Sequence, residues 1–432
     1  MRLDFSTKKK DTIQSVATAF LPRKVLIALE QEKGVVCSPL VKAGDRVQEG
    51  QVIAEDPAGS DAAKIHSPIP GVVLGIRNCS ASDGRFSPAI EIKLNGRFSH
   101  TGKAQNAFDW RSWGSQSILN RISALGVVNT FSIREPRSLC ADIKAAMQAP
   151  EPRVFVRLFD EDPSFQTDSA LARSHFDKIL AGVEILKEVM KPKEVVLAYA
   201  KSDVKIQTLL MPLKNEECFV LLPMDTREYP AGKKEILCAR YKKLFKAAES
   251  ERDIINGSLF VESETLALFS DALIHNIPVE KVFVHAFGDC LKSSAALKVC
   301  VGESLENLAK QLGLETKKIG KIIVNGFLRG VSVPSLETPV SKSVKSVAFV
   351  SRTDAADYSN ATCVGCGKCR DACPAKIYPD IIYALVVKGV KTPQDFSRSS
   401  LLCIECGVCD SVCPTKLPLS EIVKILKDRQ NV

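Results

Sequence analysis

Two groups of four cysteines, each followed at once by proline, are the residues with the clearest chemistry in this chain. The first group comprises Cys363, Cys366, Cys369 and Cys373, and the second, 40 residues later, comprises Cys403, Cys406, Cys409 and Cys413. Gaps of two residues let a tight loop wrap three corners of a tetrahedral ligand set, and Gly367 and Gly407 can supply the positive φ that such a loop needs. Thiolates in this arrangement suit an iron–sulfur cluster.

The spacing is the C-x2-C-x2-C-x3-C-P pattern of bacterial ferredoxins, present twice. In two-cluster proteins of this pattern the fourth cysteine ligates the other cluster. This resemblance predicts two [4Fe-4S] clusters, the first on Cys363, Cys366, Cys369 and Cys413 and the second on Cys403, Cys406, Cys409 and Cys373. Zinc is the alternative, but zinc sites usually separate two ligand pairs by a dozen or more residues and often use histidine, a pattern that these motifs lack.

The segments after the two motifs are predicted to be helices that cover the clusters. Pro379–Val387 and Pro418–Leu426 each begin with proline and carry apolar residues at helical spacing. The remaining cysteines are scattered singly and are predicted to be buried, inert thiols: Cys37, Cys79, Cys140, Cys218, Cys238, Cys290 and Cys300. The five histidines are also dispersed, and no ligand or catalytic role is predicted for them.

Composition sets limits on where such a protein works. The 432 residues are 45% hydrophobic and 25% charged, as in a globular chain of several domains. The net charge of +9 is spread without a dense basic stripe, which argues against nucleic acid as a partner. We find neither an apolar run of about 18 residues nor a signal-peptide pattern, and therefore expect the cytosol or the cytoplasmic side of a membrane. Fifteen cysteines in that compartment favour metal or redox use over disulfides.

The fold class is predicted to be multidomain, α/β plus α+β. Residues 1–105 are predicted to form a barrel-sandwich β domain, because turn pairs such as Gly44-Asp45 flank short apolar alternations, as in biotinyl and lipoyl carrier domains. Lys64 is interpreted as a structural lysine rather than an acylated arm, since the acidic or methionine neighbours usual beside such a lysine are missing.

The rest of the chain divides into three further predicted domains. Residues 115–275 alternate helices and strands, with helix 118–125, strand 154–159, a long helix 169–190 and strand 194–199. Residues 279–350 form a small α+β unit, with Pro334 and Pro339 marking a linker. Residues 358–432 form the ferredoxin-like domain that holds the clusters.

The order of these parts resembles the RnfC family, a component of the Rnf ion-translocating electron-transport complex, along essentially the whole chain. The paired cysteine motifs and the closing Pro414-Thr-Lys-Leu-Pro418 carry most of this resemblance. Tyr229-Pro230-Ala-Gly232 is similar to the family's Y-P-x-G-x-E segment, and residues 279–340 are similar to its soluble-ligand-binding β-grasp domain. The resemblance implies a peripheral protein at the cytoplasmic face of the cell membrane, which relays electrons through two clusters while membrane-embedded subunits move ions.

The family's central domain is similar to the flavin- and NADH-binding subunit of respiratory complex I, where a glycine-rich loop approaches the FMN and dinucleotide phosphates. Gly126 and Pro136 match that loop, but other residues stand where glycines are expected: Asn129, Phe131, Ser132 and Arg134. The acidic stretch Asp160–Pro163 is also similar to the family. We therefore expect the fold to be kept without a working FMN or NADH site, and a ferredoxin or flavodoxin, rather than NADH, to be the soluble carrier.

Two other functions share parts of this pattern. A soluble flavo-iron–sulfur protein of the cobalamin-reductase type has the same barrel, β-grasp and double-cluster plan, but it needs a flavin site. A cluster-bearing structural module without turnover is the third interpretation.

Overall fold

The computed structural model describes residues 12–95, 109–353 and 362–430. The N-terminal strands are β1 (Ala17–Thr18), β2 (Lys24–Ala28), β3 (Glu30–Glu32), β4 (Val35–Val36), β5 (Ser38–Pro39), β6 (Arg46–Val47), β7 (Val52–Glu55), β8 (Ile65–His66), β9 (Gly71–Ser80) and β10 (Phe86–Leu94). The sheets β2-β10-β9-β6 and β5-β7-β8 enclose an aliphatic core. Ile90 and Ile92 are fully buried and alternate with the half-buried Glu91, the period of two that a strand imposes.

Strand β1 lies within residues 1–105, the range predicted for the barrel. It pairs instead with a strand of the mixed sheet in the third part of the chain, described below. Lys64 is half-buried, and its ammonium forms an ion pair with Glu55 at 2.6 Å, as a structural lysine would.

The second part of the chain is an α/β unit around a parallel sheet. Its elements are α1 (Ser115–Ala124), β11 (Val128–Asn129), β12 (Arg137–Ser138), α2 (Leu139–Ala146), β13 (Arg153–Arg157), α3 (Asp168–Ser174), α4 (Phe176–Met190), β14 (Glu194–Ala200), α5 (Val204–Leu210), β15 (Phe219–Met224), α6 (Lys234–Phe245), α7 (Glu251–Asn256), β16 (Ser258–Glu262) and α8 (Ser263–His275). The strand order is β15-β14-β13-β16, and helices pack on both faces.

The long helix predicted over residues 169–190 is two helices, α3 and α4. His175 leaves the helical conformation with φ −132°. The Ser174 hydroxyl donates a hydrogen bond to the Ala170 carbonyl and forms another with the His175 ring. Such local side-chain hydrogen bonds compete with a continuous helix.

The third part is a mixed sheet with one α-helix. Its elements are β17 (Lys281–Phe287), β18 (Ala295–Cys300), α9 (Leu305–Lys310), β19 (Ile319–Val324), β20 (Val331–Val333) and β21 (Ser346–Ser351), in the order β1-β18-β17-β21-β19-β20. The linker predicted near Pro339 is wrong, because Val340 is buried and exchanges backbone hydrogen bonds with Gly302 and Glu303 at 2.7 and 2.8 Å.

The last part is helical: α10 (Lys368–Ala372), α11 (Pro379–Val387), α12 (Gln394–Ser400), α13 (Val408–Val412) and α14 (Leu419–Asp428). Helices α11 and α14 pack on each other, as do α10 and α13, so the two sequence repeats face one another. Short 3-10 helices elsewhere span Trp110–Ser112, Met211–Asn215 and Thr316–Lys318. Within the described ranges, none of the helices combines the length and the apolar character needed to cross a bilayer.

Candidate metal centres

Each cysteine motif forms a loop that enters a short helix directly after a glycine. Gly367 and Gly407 have φ of 73° and 75°, and α10 and α13 begin at the next residue. The left-handed backbone predicted for these two glycines is confirmed. The turn places the third cysteine of each motif in the first turn of its helix and the fourth just beyond the helix end.

Two cavities lie between these loops, and both are lined by cysteines from both repeats. One has about 360 Å³ of empty space, part of it open to solvent, and is lined by Cys403, Cys406, Cys409 and Cys373. The other, of about 300 Å³, is lined by Cys363, Cys366, Cys369 and Cys413. The fold thus brings together the same two sets of four that the ferredoxin pattern assigns to two clusters. We call them the first set (with Cys363) and the second set (with Cys403).

The donor chemistry of both sets fits a [4Fe-4S] cluster. Thiolates are the soft ligands that such clusters use. Over residues 12–95, 109–353 and 362–430, no three His, Cys, Asp or Glu side chains are grouped so as to hold a single metal ion. Each set of four cysteines lines its own cavity, and four thiolates are the donor set that a [4Fe-4S] cluster takes.

Apolar side chains from α11, α14 and the adjoining turns cover part of each cavity. Ile382, Val423 and Leu426 pack with Cys373 of the second set. Leu417 and Leu419 pack with Cys369 and Cys413 of the first set. By excluding water, these residues lower the local dielectric and strengthen every charge interaction made at the sulfurs.

Backbone donors already point at some of the sulfurs. The Glu405 N–H donates to Cys403 Sγ and the Leu417 N–H to Cys413 Sγ, both at 3.4 Å. Such bonds are among the means by which a protein sets a cluster's potential. Burial raises the pKa of the Cys369 and Cys406 thiols to about 11, so that iron binding must displace their protons.

The two sets differ in how the rest of the chain covers them. Cys363 and Cys366 are exposed. Cys406 is buried, together with Val408, in an apolar cluster that includes Tyr229 and Leu328 from the body of the protein. The first set therefore has two solvent-exposed members, whereas the second set contacts the earlier domains through Cys406.

Two side chains from the body hold the loop of the second set through its backbone. The Tyr229 hydroxyl donates to the Cys406 carbonyl at 2.6 Å. Arg329 Nε donates to the Glu405 carbonyl at 2.9 Å. At Gly407 an added Cβ would overlap the Leu328 carbonyl oxygen, so the glycine permits this close approach.

A buried ionic group stands behind Arg329. Its guanidinium pairs with Glu161, which also accepts an ion pair from Lys233 at 3.3 Å. Burial alone would raise the pKa of Glu161, but Arg329, Lys233 and Arg157 outweigh burial and bring it to about 2. No sequence motif singled out Arg329, whereas Glu161 and Tyr229 lie in segments that are similar to the Rnf family.

The glycine-poor loop at residues 126–137 is closed by its own side chains. The Asn129 amide donates to Asp142 at 2.8 Å and to the Phe260 carbonyl at 2.9 Å. Phe131 is buried with the Arg157 guanidinium 4.3 Å from its ring centre. These residues do not fit a backbone cradle for FMN or dinucleotide phosphates.

Two further positions of this region serve the fold. The Gly126 carbonyl accepts from Lys342 Nζ at 2.7 Å, and the Pro136 carbonyl accepts a backbone bond from Lys33 at 3.0 Å. Asp160 accepts from the Thr167 and Asp168 backbone N–H groups, both at 2.7 Å. The acidic stretch therefore caps the start of α3.

Comparisons with known proteins agree with the family resemblance predicted from the sequence. Residues 4–97 match the RnfC barrel sandwich hybrid domain. The C-subunit of the ion-translocating oxidoreductase complex of Vibrio cholerae is 22% identical over 87% of this chain. The chain is similar to RnfC proteins. The C-subunit of the proton-translocating ferredoxin:NAD(+) oxidoreductase complex of Clostridium ljungdahlii is 24% identical over 88% of the chain, and the Na(+)-translocating counterpart of Acetobacterium woodii is 22% identical over 86%. The predicted resemblance is confirmed, and these names do not favour the cobalamin-reductase alternative.

Length separates this chain from some of these relatives. It spans 48% of the Vibrio cholerae protein, but 82% and 83% of the Clostridium ljungdahlii and Acetobacterium woodii proteins. Among solved structures, a chain of an NAD+-reducing [NiFe]-hydrogenase in the H2-reduced state aligns with 77% of this chain and 68% of its own length, at 13% identity and a TM-score of 0.48.

Proposed function

We propose that the chain binds two [4Fe-4S] clusters, one on each cysteine set, and acts as a peripheral electron-transfer subunit of a membrane-bound Rnf-type complex. Each cluster, when bound, would take up and release one electron at a time. The observation that carries the proposal is the pair of cavities, each lined by three cysteines of one repeat and the last cysteine of the other.

The surrounding residues would hold and insulate this relay. Ile382 and Leu417 exclude water from the two cavities, and the Glu405 and Leu417 N–H groups bond to the sulfurs. The exposed loop at Cys363 and Cys366 gives a soluble carrier access to the first set. In this proposal residues 358–432 carry the electrons, while residues 1–105, 115–275 and 279–350 form three supporting domains.

The electron source and the partners follow from the same residues and relatives. Asn129 and Phe131 fill the loop that would approach a nucleotide, which favours ferredoxin or flavodoxin over NADH as the soluble carrier. The relatives are named as parts of ion-translocating complexes. We therefore place this chain at the cytoplasmic face of a membrane, beside membrane-embedded subunits that move the ion.

Anaerobic purification of the full chain tests the cofactor assignment. We expect about eight irons and eight sulfides per chain, an absorbance that NADH does not bleach, and bleaching by dithionite-reduced ferredoxin or flavodoxin. Stoichiometric zinc, or far fewer irons, would refute the assignment, and bleaching by NADH alone would restore a nucleotide site. Membrane fractionation with co-purifying partner proteins tests the location, and a chain that stays in the soluble fraction without partners would contradict it.

A further inference from the structure

Arg329 links the loop of the second set to a buried ionic group in the body of the protein. The residue is 2% exposed and lies in the turn between β19 and β20. Its Nε contacts the Glu405 carbonyl, which lies between two cysteines of the second set, and its Nη1 pairs with Glu161. Its own carbonyl accepts from Arg134 Nε at 2.8 Å. Contacts to its guanidinium and to its main-chain carbonyl thus hold Arg329 in place.

The charges around this contact are unequal. Arg329, Lys233 and Arg157 are buried cations around Glu161, and a second buried carboxylate, Asp162, accepts from the Leu328 N–H at 2.8 Å. The Glu405 carboxylate itself is neutralised by Lys427 at 2.9 Å. The charged group from the body that directly contacts the loop backbone is therefore the Arg329 guanidinium, in a water-poor environment.

The first set has no equivalent contact in the described part of the chain. An added Cβ at Gly367 meets nothing within 4 Å, whereas the equivalent Gly407 lies against Leu328. Arg370, which follows Cys369 of the first set, pairs with Asp380 at 2.7 Å and has a side chain that is 41% exposed, so that solvent screens its charge. Two repeats of one sequence pattern thus have different electrostatic surroundings.

We infer that Arg329 is a positioning residue for the second cysteine set, and that its buried charge raises the reduction potential of the cluster held there. Reduction adds one negative charge to a cluster, and a cation in a low-dielectric environment stabilises that added charge. The neutral contact from the Tyr229 hydroxyl positions the same loop without contributing a charge. This inference rests on the proposed function, since it requires that both clusters assemble.

The test is a dithionite redox titration of the full chain, purified without oxygen and followed by electron paramagnetic resonance. Cys373→Ser, which removes a ligand of the second set, assigns the signals. We expect Arg329→Met to lower the reduced-to-oxidised ratio of the second cluster at least tenfold at a fixed potential, about 59 mV for one electron. Arg329→Lys keeps the charge and should restore most of the ratio. Glu161→Gln removes a negative charge and should shift the ratio in the opposite direction.

Control variants separate charge from general damage. The solvent-screened Arg370→Met should leave the potential of the second cluster unchanged. If Arg329→Met loses the second cluster while keeping the first, its positioning role is supported, and Arg329→Lys and Glu161→Gln decide the charge effect. Unchanged potentials, or Arg329→Met and Glu161→Gln shifting in the same direction, would overturn the inference. Absence of both clusters from the unmodified chain would instead refute the proposed function.

Discussion

Replacing Gly407 by alanine, alongside the same change at Gly367, isolates the contact that covers the second cysteine set. The two glycines have nearly the same φ, 75° and 73°, so each alanine should cost about 1–2 kcal/mol for its left-handed backbone. At Gly367 the new Cβ enters open space, but at Gly407 it overlaps the Leu328 carbonyl. The difference between the two variants therefore measures the contact with the body of the protein.

The extra loss at Gly407 can be worked from the bonds that must yield. To clear the Leu328 carbonyl, the loop has to retreat from Tyr229 and Arg329, whose bonds to the Cys406 and Glu405 carbonyls are 2.6 and 2.9 Å long. A neutral hydrogen bond contributes about 1 kcal/mol and one from a charged group about 1.5–3 kcal/mol. We expect Gly407→Ala to lose about 2.5–4 kcal/mol more local stability than Gly367→Ala.

Native-state hydrogen exchange of the anaerobically purified full chain measures this difference. Peptides spanning 403–413 should exchange roughly 70- to 900-fold faster in Gly407→Ala than those spanning 363–373 in Gly367→Ala, once each is corrected for the unmodified chain. Iron content should fall more in the first variant. Equal acceleration in both loops would refute the reasoning, because the covering contact would then carry no free energy.

Three further outcomes are expected. Cys413→Ser should abolish the first cluster's spectroscopic signal, and Cys373→Ser the second's; the reverse assignment would show ligation within each repeat. Ile382→Ala, at a fully buried site beside the second set, should cost about 2–5 kcal/mol and lower the urea concentration at which the cluster absorbance is lost, and no change would contradict the proposed packing. Burial raises the pKa of Glu303 to about 7, so the folded chain holds a proton at this carboxyl that the unfolded chain releases, and this group should lower the free energy of unfolding by about 1–3 kcal/mol between about pH 5 and pH 8. Urea titrations should show that Glu303→Gln removes a contribution of that size from the pH dependence of the unmodified chain, whereas the half-buried Glu306→Gln leaves the dependence unchanged; a dependence unchanged in Glu303→Gln would refute the assignment.

Local signals in the sequence were enough for several of the helices and strands. Helix α11 matches the predicted range 379–387, because its leading proline and apolar spacing are local features. The predicted long helix 169–190 was wrong in one respect, since the break at His175 depends on how its ring meets Ser174. The segment near Pro339 has the composition of a loop. It is buried because its backbone pairs with residues 302–303, which are too far away in the chain for a local sequence pattern to indicate the contact.

The cysteine spacing by itself indicated iron–sulfur chemistry, because three cysteines of each repeat are neighbours in one short loop. The assignment of the fourth cysteine to the other repeat's set came from the ferredoxin pattern, and the fold lines each cavity with that combination. The large side chains at residues 126–137 likewise indicated a crowded loop, because side-chain size follows directly from the sequence. Tertiary structure alone decided that two cysteines of the first set are exposed and that Cys406 of the second set is covered by the body of the protein. That asymmetry depends on Tyr229, Leu328 and Arg329, which meet the second loop from sites at least 70 residues away, and no periodicity or motif encodes contacts between such distant residues.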